Sequence, residues 1–446
     1  MRSRRQSLRI GERRINRATV VGFGMTGQAV ARFLVAKGSK PRITDSGRIS
    51  ASGRRFIEEH QLTFEEGRHT QEGLGNPDLI VLSPGVDPTM RLIADAKASG
   101  VIVLSEIDLA FQLGPPVPTA AVTGTNGKST TVRMIQAVLQ KAGRRAIVAG
   151  NIGTPYISVL DNLNASDTLI LEASSYQLEQ STIFHPQVAM LLNISPDHLE
   201  RHKTIESYQE AKMTIFSRQS AADTAILPSE LGSLGESIRA RKVFYDSIDL
   251  SSLSYADKLA PHNRDNLKAA IAACSCLVRD LDYAHTALVD IEEALCLPFR
   301  LQEEGEIDGV RLINDSKSTN PDSAIAALRS FDESIVLILG GRQKAGSYAR
   351  LAETVAAMEI RKTIAYGEAA RFLSSSLQQV GYMRTGSAEH LSAAFDAAVR
   401  SAKTGDVIIF SPACASYDQY SDFVERGKEF SRLVRSHPSF SAVERG

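Results

Sequence analysis

Twice in this chain an apolar run of strand length ends in a glycine-rich loop that opens straight into a helical pattern. Such a loop needs a strand and a helix packed as neighbours, so it commits the chain to an α/β architecture. The more demanding of the two is Gly124-Thr125-Asn126-Gly127-Lys128-Ser129-Thr130. It follows the run Ala120–Thr123 and precedes a helical pattern over Ser129–Lys141, in which Val132, Ile135, Val138 and Leu139 share one face. Its Gly-Lys-Ser core has P-loop mechanics. Backbone N–H groups cradle phosphates, Lys128 offers a point charge to the β and γ oxygens, and a hydroxyl can ligate magnesium. Val122 stands where the usual pattern has its first glycine. A plain surface loop would not place Lys128 at a helix N-terminus, where a cation is unfavourable unless an anion sits there. The loop points to ATP or GTP.

The other loop, Gly22-Phe23-Gly24-Met25-Thr26-Gly27, closes the run Ala18–Phe23 and opens a helical pattern over Gln28–Ala36. Asp45, at the end of the next strand, lies 18 residues beyond Gly27. This is the dinucleotide-binding spacing. The physics is more general than the motif: glycines let N–H groups approach a diphosphate, and a helix N-terminus favours its charge. NAD and a UDP-sugar both carry a diphosphate, and a tight turn without a ligand has the same local pattern. Nothing elsewhere in the sequence supplies a hydride-acceptor site.

With 446 residues the chain has room for about three domains of roughly 150 residues. The patterning agrees. Short apolar runs at Leu79–Leu82 and Val101–Leu104 flank a predicted helix over Thr89–Ser99, and the Pro-rich Gly114–Pro118 then reads as a linker. A second series runs through Thr168–Leu171, Val188–Leu192, Thr224–Leu227 and a helix over Arg264–Leu277, and it breaks near Leu297–Arg300. A third follows at Val310–Ile313, Ile335–Leu339, Thr363–Tyr366 and Val407–Phe410. The expected divisions are an Arg-rich extension at 1–17 and α/β domains at 18–113, 114–298 and 299–446.

Lys plus Arg and Asp plus Glu are both 51, so the formal charge is zero and a general nucleic-acid binder is disfavoured. The zero is uneven: residues 1–17 hold seven Arg and one Glu, a balance of +6, which leaves −6 for the rest. That extension has the charge of a transit peptide but reads as a solvated tail. The four Cys (Cys274, Cys276, Cys296, Cys414) are too scattered for a disulfide framework, and no apolar run approaches the ~20 residues of a membrane span. A cytoplasmic protein is expected, with no membrane and no nucleic-acid partner.

Glu172 ends the run Thr168–Leu171, where a carboxylate beside a P-loop strand would stand. His198 and Asp197 lie in Asn193-Ile-Ser-Pro-Asp197-His198 after Val188–Leu192, on the crest where open α/β sheets bind ligands. Taken alone, His198, Asp197 and Asp315 divide between loop hydrogen bonding and function. Lys212, on a predicted helix over Ile205–Ser217, reads as a solvated lysine.

Together these pieces resemble the Mur ligase family over about residues 17–435. Gly150-Asn-Ile-Gly153, Leu171–Glu179, Asn193…His198, Ala211-Lys212, His262–Asn266, Asn314–Asn320 and Leu339…Lys344 are similar to family motifs. Ser411-Pro-Ala-Cys-Ala-Ser-Tyr-Asp-Gln-Tyr420 and Asp315-Ser-Lys317 resemble its D-glutamate-adding branch, and the Asp-Asn-Pro-Arg signature of the branch that adds a diamino acid does not occur. The resemblance implies three domains: an N-terminal Rossmann-like UDP-binding domain, a central P-loop ATPase-like domain and a C-terminal Rossmann-like domain. It implies an amide ligase of cytoplasmic peptidoglycan precursor synthesis, acting as a monomer. ATP would phosphorylate the carboxylate of UDP-N-acetylmuramoyl-L-alanine, and the amine of D-glutamate would attack the acyl phosphate. A folylpolyglutamate-type or other family ligase, and a non-catalytic nucleotide-binding regulator, are the alternatives.

The resemblance also implies roles. Lys128, His198 and Lys212 would be catalytic. Gly124, Thr125, Asn126, Gly127, Lys128, Ser129, Thr130, Asn266, Arg300 and Asp315 would bind ATP. Two magnesium ions would be held by Ser129, Thr130, Glu172, His198 and a carbamylated Lys212. Met25, Thr26, Asp45, Ser46, Ser83, Pro84, Gly85 and Asn151 would hold the UDP substrate, which decides the first loop for UDP over NAD. Lys317, Thr319, Lys344, Ser416 and the backbone at Phe423 would receive D-glutamate. The Arg-rich extension has no counterpart in these motifs.

Overall fold

A computed structural model describes residues 8–151, 153–253, 256, 259–278, 297–344 and 347–442. Cys296, Ile152 and the first arginines, Arg2, Arg4 and Arg5, lie outside these residues. Three larger sheets follow one another along the chain. In the first, the strand order is Phe64–Glu66, Arg42–Asp45, Ala18–Val21, Leu79–Leu82, Ile102–Ser105, all parallel. In the second it is Arg241–Phe244, Thr224–Leu227, Val188–Leu191, Thr119–Thr123, Thr168–Glu172, Ala146–Gly150, again all parallel. The third runs Thr385–Ala388, Ile360–Tyr366, Ile335–Gly340, Val407–Ala413, Val310–Asn314, Gln302–Ile307, Phe440–Ser441. Its first five strands are parallel, Gln302–Ile307 runs antiparallel to them, and Phe440–Ser441 pairs antiparallel with Gln302–Ile307.

The central strands are buried along their whole length, as Ala18–Val21, Thr119–Thr123 and Ile335–Gly340 show. Parallel strands covered by helices on both faces read as such unbroken apolar runs. In the first two sheets, the strand that carries the glycine-rich loop sits inside the sheet, where later strands are laid down on either side. Both loops thus open at the carboxyl ends of strands, at the point where such sheets bind ligands.

The molecule divides into two compact units. The first carries the first two sheets. The second carries the third sheet together with Ile194–Tyr208. Polar anchors explain why two sheets make one unit. Asp108, on the helix Glu106–Leu113 of the first α/β layer, is fully buried. Its carboxylate accepts from the hydroxyls of Ser181 and Thr182 and from the backbone N–H groups of Thr182, Ile183 and Phe184 of the second layer. Glu106, also buried, accepts from the Ile157 N–H at 2.7 Å.

Sequence expectations for the elements hold, with shifted ends. The first helix begins at Met25, three residues before Gln28. The helix carrying Lys212 runs Ile205–Met213 and tightens to a 3₁₀ turn at Thr214–Phe216. The solvated-tail reading fails for residues 8–17. Arg9–Ile10 pairs with Arg13–Arg14 as a hairpin, Ile15 is buried, and the N–H groups of Asn16 and Arg17 both donate to Asp78 at 2.9 Å. An apolar anchor and one carboxylate are enough to dock this segment on the first layer.

Candidate active site

The phosphate loop is built from backbone geometry that only glycine supplies. Gly127 has φ +85°, and a Cβ there would lie 2.3 Å from Asn266 Oδ1. The strand Val188–Leu191 runs beside the loop's own strand and delivers Asn193 to it. Thr125 N–H donates to the Asn193 carbonyl at 3.0 Å, Asn126 N–H donates to Asn193 Oδ1 at 2.9 Å, and Asn193 Nδ2 returns a bond to the Asn126 carbonyl at 3.2 Å. In the sequence Asn193 belongs to a motif, but its clamp role has no signal beyond its place after a strand beside the P-loop. Lys128 Nζ donates to the carbonyls of Gly124 and Thr125, both at 2.7 Å. The ammonium thus lies over the loop that would wrap a phosphate.

Glu172 stands where the sequence places it, at the end of the strand next to the loop's strand. It is buried, and it accepts from Ser129 Oγ at 2.7 Å and from Asn151 Nδ2 at 2.8 Å. The hydroxyl of Thr130 is buried and has no hydrogen-bond partner among the described residues. A carboxylate, a serine hydroxyl and an unsatisfied threonine hydroxyl are hard oxygen donors of the kind magnesium takes beside phosphates. Asn266 accepts from Thr131 Oγ1 at 3.3 Å. The structure overturns the solvated reading of Lys212: the side chain is 1% exposed, and Nζ donates to the Gly124 carbonyl at 2.8 Å. A lysine at the end of a helix turned toward the sheet cannot reach solvent, and its amine is spent on the phosphate loop.

At the first sheet's crest, Ser83 Oγ donates to the Gly22 carbonyl at 2.7 Å. A Cβ at Gly27 would lie 1.9 Å from that carbonyl. Asp45 accepts from the N–H groups of Phe23 and Gly47. The turns at Gly22, Asp45-Ser46 and Ser83-Pro84-Gly85 are thereby joined into one rim, with Met25, Ser46 and Gly85 exposed on it and Thr26 half-buried.

The second unit brings its own set together. The loops after Val310–Asn314, Ile335–Gly340 and Val407–Ala413 carry Asp315, Lys317, Thr319, Lys344 and Ser416. Asp197 accepts from Lys344 Nζ at 2.8 Å and from Asn320 Nδ2 at 3.1 Å. Burial alone would raise its carboxyl, but the Lys344 charge and His198 outweigh burial and hold it at about 2. His198 adopts φ +55°, a conformation rare outside glycine, and its N–H donates to Asp197 at 2.8 Å. Its ring faces Glu200 at 3.5 Å. Asp315 accepts from Ser411 Oγ at 2.7 Å and from the Leu301 N–H at 3.2 Å. Burial pushes its carboxyl up to about 6, and Ser318, Ser411 and the charge of Arg300 offset only part of that. Lys317 Nζ lies 4.1 Å from the centre of the Phe423 ring. Sequence reasoning missed Arg426. This fully buried guanidinium donates to the carbonyls of Cys414 and Ser316 at 3.0 and 2.9 Å, tying two of the crest loops together.

Family models described as Mur ligase MurD-like, N-terminal domain, Mur ligase middle domain, and Mur ligase, glutamate ligase domain match residues 16–105, 122–273 and 299–414. The UDP-N-acetylmuramoylalanine–D-glutamate ligase of Alkaliphilus oremlandii is 34% identical, covering 93% of this chain and 97% of that protein. The ligase of the same name from Geotalea uraniireducens is 36% identical, covering 94% and 96%. Among solved structures, the UDP-N-acetylmuramate-alanine ligase of Thermotoga maritima matches with a TM-score of 0.57 at 19% identity, over 95% of this chain and 99% of that one.

Proposed function

The chain belongs to the Mur ligase family, and from that premise we propose that it adds D-glutamate to UDP-N-acetylmuramoyl-L-alanine with ATP, in cytoplasmic peptidoglycan precursor synthesis. The observation that carries the reading is near-full-length similarity to ligases of that name, joined to a phosphate loop backed by Glu172. We divide the chain at 18–113 for the UDP substrate, 114–298 for ATP and 299–446 for the amino acid.

The reaction has two steps. An oxygen of the alanyl carboxylate takes the γ-phosphoryl group of ATP, releasing ADP and leaving an acyl phosphate. The amine of D-glutamate then attacks the carbonyl carbon, the amide forms, and phosphate leaves with the amine's proton lost to solvent. A bare carboxylate is a poor electrophile, and two anions must meet, so local positive charge is required. Gly124 to Thr130 hold the phosphates, and Lys128 moves its charge from loop carbonyls to phosphate oxygens. Ser129, Thr130 and Glu172 would hold one magnesium ion, a carbamylated Lys212 would add a carboxylate ligand beside the phosphate loop, and His198 would be a metal ligand in the second unit. Magnesium, when bound, supplies the positive charge between phosphate and carboxylate. Carbamylation replaces the Lys212 ammonium by a carboxylate, with carbon dioxide adding to the neutral amine and one proton released. Asn266, Arg300 and Asp315 contact ATP. Lys317 and Lys344 take the two carboxylates of D-glutamate, aided by Thr319, Ser416 and the Phe423 backbone. Met25, Thr26, Asp45, Ser46 and Ser83 to Gly85 hold UDP, and Asn151, anchored on Glu172, faces the muramoyl group.

The test is phosphate release and product mass with each amino acid in turn. We expect turnover only when ATP, UDP-N-acetylmuramoyl-L-alanine and D-glutamate are all present. Equal rates with L-glutamate or a diamino acid would sink the substrate assignment, and no substrate-dependent phosphate release would favour a non-catalytic binder.

A further inference from the structure

Gln180 lies just beyond the helix Ser175–Glu179, eight residues after Glu172, in the second α/β layer. Its side chain is 7% exposed and reaches into the first layer. There one nitrogen, Nε2, donates to three backbone carbonyls: Ser83 at 3.1 Å, Pro84 at 3.3 Å and Val86 at 2.7 Å. Two protons are shared among three acceptors, and all three belong to one turn. The other end of the amide, Oε1, is buried with no hydrogen-bond partner among the described residues. The three carbonyls alone therefore set which way the amide points.

That turn shapes the first glycine-rich loop. Ser83 Cβ and Val86 Cγ2 each lie 2.9 Å from where a Cβ at Gly22 would stand, so the turn packs directly on the loop. The same segment is fixed immediately afterwards by Asp108, which binds Ser181 to Phe184. Gln180 is thus held in place from behind while its amide holds the turn in front. Leaving one buried amide oxygen unsatisfied costs stability, and in return one amide holds three carbonyls of a single turn.

We propose that Gln180 is a positioning residue for the UDP substrate. The ATP-binding layer, through this one amide, sets the shape of the Ser83–Val86 turn that receives the nucleotide. The inference rests on the reading that Ser83, Pro84 and Gly85 line the UDP site. It goes further by making that site a joint product of two layers. Gln180 itself touches no substrate.

The experiment measures KM for all three substrates, and direct calorimetric binding of UDP-N-acetylmuramoyl-L-alanine, in wild type, Q180A, Q180E and G85L. A Cβ at Gly85 would meet nothing within 4 Å, so G85L intrudes on the proposed substrate space without disturbing the fold. We expect Q180A to raise KM for the UDP substrate about tenfold, with kcat and the KM values for ATP and D-glutamate nearly unchanged. In Q180E a charged carboxylate faces three carbonyls, whereas its protonated form can donate to one of them. Its KM for the UDP substrate, relative to wild type at the same pH, should therefore fall as pH is lowered. If Q180A fails to fold, the pH dependence of Q180E decides alone. Equal rises in all three KM values, or a Q180E ratio independent of pH, would overturn the proposal. If G85L also leaves UDP-substrate binding untouched, the underlying site assignment fails instead; if G85L weakens binding and Q180A does not, only the role of Gln180 falls.

Discussion

Asp315 and Lys212 show what burial does to a charged residue on a sheet crest. Asp315 has its carboxyl raised from 3.8 to about 6 by burial. Between those values the folded protein keeps a proton that the unfolded chain has released, so wild-type stability falls as pH rises through that window. D315N keeps the shape and cannot ionise. Its melting temperature relative to wild type should therefore move in the variant's favour from pH 4 to pH 7, and on the proposed role of Asp315 as an ATP contact its ligase activity should drop. A melting difference that does not change with pH would remove the titration from Asp315. Lys212 is buried with its amine on the Gly124 carbonyl. If that amine becomes a carbamate, K212A should lose about 10² to 10³ in kcat, and added short carboxylates should restore part of it. Full activity in the plain variant would discard the carbamate.

Elements make these residues possible, and the phosphate loop is the strictest of them. At Gly127 an alanine would combine φ +85° with a Cβ 2.3 Å from Asn266 Oδ1. G127A should therefore cost about 1–3 kcal/mol and displace Asn266, lowering the melting temperature and weakening nucleotide binding together. Nucleotide affinity unchanged in a folded G127A would show that the loop tolerates a different shape. Elements of this kind were legible because their signals are local: a buried strand, a glycine, a helical stripe. Glu172 was placed correctly by the end of a strand alone. What stayed hidden depends on which face of an element meets which neighbour. Lys212 looked solvated because its helix has no strong apolar stripe that would mark its inner side. Gln180, Asp108 and Arg426 are polar side chains buried by contacts 73 to 110 residues away in sequence, and no local pattern carries such a separation. The hairpin at residues 9–14 escaped for the opposite reason, since its docking rests on Ile15 and Asp78 while the arginines dominate the composition.

At the scale of the whole molecule, the proposed chemistry is divided. Lys128, Ser129 and Glu172 belong to the first compact unit, and Asp315, Lys317, Lys344 and His198 to the second. The residues beyond position 17 carry a net −6, so on the proposed reading the negative charges of the substrates are met by Lys128, Lys317 and Lys344, and by magnesium when it is bound, rather than by the general field of the protein. Amide formation requires the acyl carbon and the attacking nitrogen within about 3–3.5 Å. All three substrates must therefore be bound together before the acyl carbon and the nitrogen can meet. Calorimetry should therefore show tighter binding of D-glutamate with a non-hydrolysable ATP analogue, magnesium and UDP-N-acetylmuramoyl-L-alanine present than without them. D-glutamate alone should bind weakly, because Lys344 is already paired with Asp197 within its own unit. K344M, which removes that pair, should raise KM for D-glutamate while leaving nucleotide binding intact. A K344M variant with the wild-type KM for D-glutamate would remove Lys344 from the proposed amino-acid site.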